Sequence, residues 1–146
     1  MHVLLVEDNP EDIVCVRRAL RDLPGTVELS VVPNGRRALA FLHRWPPYAD
    51  VAPADLLFLD LHLPRKSGEE VLAALKQDPR FRRLPVVVLT GITAPREVSR
   101  CYELGANAFV VKPVQWREYR RLVRGAVEFC SACQSCGAKT EELWTG

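Results

Sequence analysis

Five times along this chain a short apolar run is followed by a helical pattern, and that alternation limits the fold more than any other feature. The runs HVLLV, VELSVV, DLLFLD, PVVVLT and AFVV read as strands. Continuous apolar runs mark strands covered on both faces, and strands of that kind alternating with helices build a parallel sheet between two helical layers. Five such units fit an α/β, flavodoxin-like, doubly wound five-stranded sheet of order 2-1-3-4-5 with five helices.

Local signals place the helices. Asn9 suits an N-cap and Pro10 the first helical position, and Ile13, Val16, Ala19, Leu20 and Leu23 recur at helical spacing. Pro24-Gly25 stops that helix. Ser67 and Glu70 form a capping box for the third helix, and Gly105 closes the fourth. The last helix is expected from about Gln115 to Phe129, so the folded domain spans 1–129. The extension 130–146 continues the helix or is a disordered tail.

A chain of 146 residues suits one domain. A net charge of +2 with scattered arginines gives no reason to expect a nucleic-acid partner. No apolar run approaches the roughly 20 residues of a membrane span, and MHVLLVEDN lacks the basic start of a signal peptide. The expected location is the cytoplasm, where cysteines stay reduced.

In such a sheet, ligands bind beyond the carboxyl ends of the strands. The first strand ends in Glu7-Asp8, the third in Asp60, the fourth in Thr90-Gly91 and the fifth in Lys112-Pro113. Three acids, a hydroxyl and a lysine therefore converge on one rim. Clustered carboxylates repel one another and call for a divalent cation, and oxygen ligands favour Mg²⁺. Mg²⁺, a lysine and oriented donors are the apparatus of phosphoryl transfer. A carboxylate is a competent nucleophile for that group, and Asp60 is the candidate.

The motifs LLVEDNPED, LLFLDLHLPRKSGEEVL, PVVVLTG and ELGANAFVVKP, spread over residues 2–129, resemble the receiver domain of two-component response regulators. With DPRFRRLPVVVLT the chain looks most like the stand-alone regulators that partner bacterial phytochrome histidine kinases. The resemblance implies that Asp60 accepts a phosphoryl group from a sensor histidine kinase. It implies that Glu7, Asp8, Asp60 and the backbone carbonyl of His62 hold Mg²⁺. Lys112 would pair with the phosphate, in a Lys112–Pro113 bond that is often cis. Thr90 and Phe109 would form the switch. The implied function is a single-domain phosphorelay switch, not a metabolic enzyme, with a protein contact as output. A relay intermediate or sink with no direct output is the alternative.

Some features stay open. His62, two residues after Asp60, could bond the phosphate, order a water, or be an exposed loop residue. Tyr119, Val123, Ala126 and Cys130 form the stripe that suits the sheet, leaving Trp116, Leu122 and Phe129 as spare apolar surface for a homodimer. Cys130, Cys133 and Cys136 have a metal-like spacing but no fourth ligand nearby, so packed positions or an intersubunit disulfide are expected instead. An electron-transfer flavoprotein shares the fold, but the acids of EDNPED would repel a flavin phosphate. An aspartate-based phosphatase usually carries a second acid where this chain has His62.

Overall fold

The computed structural model describes residues 1–91 and 94–135. Strands and helices alternate as β1 His2–Val6, α1 Pro10–Arg21, β2 Glu28–Val32, α2 Gly35–His43, β3 Leu56–Leu59, α3 Gly68–Gln77, β4 Val86–Thr90, α4 Pro95–Glu103, β5 Ala108–Val111 and α5 Trp116–Ser135. The five strands are parallel and lie in the order 2-1-3-4-5.

The expected local signals act where the sequence puts them. The Asn9 side chain accepts from the Glu11 N–H, and the Ser67–Glu70 capping box is closed in both directions. Gly105, at φ +100°, takes the left-handed turn after α4 that a side chain would strain.

Side-chain alternation divides the core in two. Val3, Leu5, Leu56, Phe58, Val87 and Leu89 pack under α1 and α5. Leu4, Val6, Leu57, Leu59, Val86 and Val88 pack against α2, α3 and α4. Leu4, Phe58 and Leu59 are fully buried, and each such side chain contributes about 1.5–3 kcal/mol relative to exposure. This double burial explains why the central strands read as continuous apolar runs.

One open expectation closes and another needs correction. Helix α5 runs past Phe129 to Ser135, because its buried stripe of Tyr119, Val123, Ala126 and Val127 continues through Cys130. Residues 130–135 therefore continue the helix, one of the two expectations for the extension. Cys136 and the rest of 136–146 lie outside the described residues, as does the side chain of Cys133. The cis peptide bond among the described residues joins Pro46 to Pro47, so Lys112–Pro113 is trans.

Candidate functional site

The parallel order brings the carboxyl ends of β1, β3, β4 and β5 to one rim. Glu7 follows β1 directly and is 2% exposed; its N–H donates to the Val32 carbonyl at 3.1 Å. Asp60 follows β3 and is held by its own N–H to the Val6 carbonyl at 3.2 Å. Lys112 follows β5, and its N–H donates to the Thr90 carbonyl at 2.7 Å. Backbone bonds between neighbouring strands thus fix the base of each functional side chain.

The side chains converge on the Lys112 ammonium. Its Nζ lies 2.6 Å from Glu7 Oε2, 2.9 Å from Asp12 Oδ2 and 3.2 Å from Asp60 Oδ2. Burial opposes its charge, but hydrogen bonds to Glu7 and Asp12 and attraction from Glu7 and Asp60 outweigh it, so its pKa is raised. Burial pushes Glu7 up to about 7, which Lys112 and the Asn9 N–H only partly offset. Glu7 Oε1 accepts from the Asp8 and Asn9 N–H groups, both at 3.1 Å. Asp60 Oδ1 accepts from the His62 N–H at 3.2 Å.

Glu7, Asp8 and Asp60 each offer a carboxylate oxygen within 4.8 Å of the others. Asp8 is exposed while its two companions are buried, so the cluster opens to solvent on one side. Three hard oxygen donors on an open face suit a divalent cation that keeps part of its water shell. Behind the cluster the backbone is packed closely. A Cβ added at Gly68 would sit 2.4 Å from the Asp60 carbonyl oxygen and 2.7 Å from Leu61 Cα. Only glycine lets α3 begin so near the loop that carries Asp60.

Sequence reasoning overlooked Asp12 and the hydroxyl of Tyr119. Asp12 lies in the first turn of α1, which starts at the rim because Asn9 caps it there. Besides Lys112, it accepts from Tyr119 Oη at 3.4 Å. Burial and then the Asp12 charge hold the Tyr119 phenol well above its usual pKa. Extending the search from strand ends to the first turn of each following helix would have found Asp12.

Thr90 is fully buried, and its Oγ1 has no hydrogen-bond partner among the described residues. It shares strand parity with Val86 and Val88, so it belongs to the α4 face, as does Phe109. Phe109 is half-buried, and its N–H donates to Tyr102 Oη at 3.1 Å. His62 is exposed, but its Nε2 lies 3.6 Å from Glu97 Oε2 in the first turn of α4. The exposed imidazole therefore lies beside α4.

Of the spare apolar residues on α5, Trp116 is covered by the Arg18 guanidinium, 4.7 Å from its ring centre. Leu122 and Phe129 line a groove with Val87, Ala108, Val110 and Ala126.

Residues 3–124 match the family model of the response regulator receiver domain. The chain is 37% identical over 127 residues to the response regulator Rcp1 of Synechocystis sp., covering 87% of this chain and 86% of Rcp1. It is similar in structure to the phosphorylated cyanobacterial phytochrome response regulator RcpA, with TM-score 0.84 and 37% identity over 88% of this chain and 91% of that one. Against the Mn²⁺-bound form of Rcp1 the TM-score is 0.80 at 37% identity, over 85% and 89% of the two chains.

Proposed function

The chain belongs to the response regulator receiver domain family, and from that premise we propose that it is a single-domain phosphorelay switch whose Asp60 accepts a phosphoryl group from a sensor histidine kinase. The observation that carries the assignment is the meeting of Lys112 with Glu7, Asp12 and Asp60 beside a three-carboxylate cluster at the strand ends. In the transfer, an Asp60 carboxylate oxygen forms a bond to phosphorus as the bond to the donor nitrogen breaks. The donor imidazole keeps that electron pair.

Glu7, Asp8 and Asp60, with the His62 backbone carbonyl, would hold Mg²⁺, which neutralises phosphoryl oxygens when bound. The ammonium of Lys112 supplies a fixed positive charge to the same oxygens. An aspartyl phosphate adds acceptor oxygens and about −1.5 to −2 charge units at the rim, on the scale of other phosphorylated side chains. The unpartnered Thr90 hydroxyl is the donor free to answer it. Moving Thr90 toward the phosphate opens space on the α4 face, where Phe109 turns inward. The altered α4–β5–α5 surface is then the output.

The printed descriptions of RcpA, a phytochrome response regulator, and of the bacteriophytochrome response regulators RtBRR and AtBRR favour a phytochrome-type kinase as partner. No helix among the described residues is long and apolar enough to cross a membrane. The groove at Leu122 and Phe129 favours a homodimer through α5, checked by whether Leu122→Glu lowers the solution mass. Such a protein catalyses only its own phosphorylation and dephosphorylation.

The test is Mg²⁺-dependent labelling by acetyl phosphate, comparing wild type with Asp60→Asn. Labelling confined to wild type is expected. Equal labelling of the two overturns the choice of phosphoacceptor.

A further inference from the structure

At the end of the sheet away from the carboxylates, a cavity of about 460 Å³ opens between the end of α2, the loop before β3 and the connector before β4. It lies within the size range of small-molecule sites, about 300–1,000 Å³. Its lining is two-part. Phe41, Leu42, Phe81 and Leu84 supply apolar surface, and Arg44, Arg80 and Arg83 supply charge.

Against these three arginines the lining has one carboxylate, Asp55, whose Oδ2 already accepts the His2 N–H at 2.7 Å. Arg80 is occupied by Asp78 at 2.8 Å. Arg44 and Arg83 are exposed and have no carboxylate partner among the described residues. The wall between them is ordered. His43 stacks on Trp45 with ring centres 4.5 Å apart and meets Phe81 edge-on at 5.1 Å. Arg80 donates toward His43 Nδ1 at 3.0 Å, pinning the imidazole. Arg44 caps α2 at φ 57°, a left-handed conformation usually left to glycine or asparagine.

A lining that is part apolar and part polar, with two guanidinium groups that have no carboxylate partner among the described residues, is complementary to a molecule with a flat apolar part and an anionic end. We propose that this cavity binds a small amphipathic anion, an aromatic acid of one or two rings. The ring lies on the Phe41, Phe81 and Leu84 surface, and the carboxylate pairs with Arg44 and Arg83. The site is separate from Asp60: it is built from segments that precede β3 and β4, whereas the carboxylates follow the strands.

The test titrates the full chain with 2-naphthoate and, in parallel, with uncharged 2-naphthamide, followed by backbone amide shifts in NMR. Saturable shifts are expected within 41–44, 54–55 and 81–84, with the amide binding about tenfold more weakly. Arg44→Gln and Arg83→Gln, both at exposed positions, should each weaken 2-naphthoate about threefold. Asp60→Asn should bind it as wild type does, so the outcome is independent of the phosphoacceptor assignment. Equal binding of acid and amide, shifts that do not saturate, or shifts centred on Leu122 and Phe129 overturn the proposal.

Discussion

Replacing Lys112 by methionine removes the cation that Glu7, Asp12 and Asp60 share. Its Nζ stands 2.6, 2.9 and 3.2 Å from their oxygens, and its side chain is only 13% exposed. At such separations each attraction is about 5–6 kcal/mol at an effective dielectric near 20. Withdrawing four charged groups from water opposes most of that. The substitution leaves three carboxylates facing one another without their counter-charge, and breaking a buried ion set in this way costs about 3–5 kcal/mol. Protonation gives partial relief. Glu7 already titrates near 7 with the lysine present, against 4.5 for an ordinary glutamate, and rises further without it. The folded variant then holds a proton that the unfolded chain has released, so its stability falls as pH rises through the raised pKa. Lys112→Met should therefore lose about 4 kcal/mol at pH 8 and about 1 kcal/mol less at pH 6. Urea denaturation at both pH values, with EDTA present so that no divalent ion replaces the ammonium, measures this. A loss below about 1 kcal/mol at pH 8, or a loss that grows toward pH 6, would refute the reasoning.

Thr90→Val replaces a buried, unpartnered hydroxyl by a methyl group of similar shape. It should leave the resting chain as stable or up to about 1 kcal/mol more stable in a thermal melt. The same variant should lose the α4 amide shifts that acetyl phosphate induces in wild type. Gly68→Ala drives a Cβ into the Asp60 backbone, and should cost about 1–3 kcal/mol and weaken Mg²⁺ binding; a denaturation curve unchanged from wild type would contradict the packing described. Mg²⁺ needs Glu7 ionised, so its affinity should be full above pH 7 and fall about tenfold per unit below it, with one proton released. Calorimetry in buffers of different ionisation enthalpy reads that proton, and an affinity flat from pH 8 to 6 would count against it.

What the sequence discloses here is what is local or repeated. Asn9, Ser67 with Glu70, and Gly105 act within a few residues of themselves, so their patterns mark helix ends directly. The rim of Glu7, Asp60, Thr90 and Lys112 was legible because parallel strands all end on the same side. Asp12 was not, since it reaches the rim from a helix and its carboxylate looks like any acid in a first turn. Trp116 looked spare on a helical wheel because the residue that covers it, Arg18, comes from another helix. Glu97 was not foreseen as a neighbour of His62 for the same reason: the two are remote in sequence. The continuation of α5 stayed open because CSACQS lacks large apolar residues, although Cys130 keeps the buried stripe going. The arginine-lined cavity draws on three separate segments, and no single stretch announces it.

The alternation that sorts Leu57 from Phe58 also sorts the two ends of the site. Lys112 continues the parity of Ala108 and Val110 and reaches Asp12 on α1, which in turn accepts from Tyr119 on α5. Thr90 continues the parity of Val86 and Val88 and belongs with Phe109, toward α4. One carboxylate therefore has two audiences, on opposite sides of a partition a single residue deep. A change that retunes how α4 listens need not disturb what α1 and α5 hear.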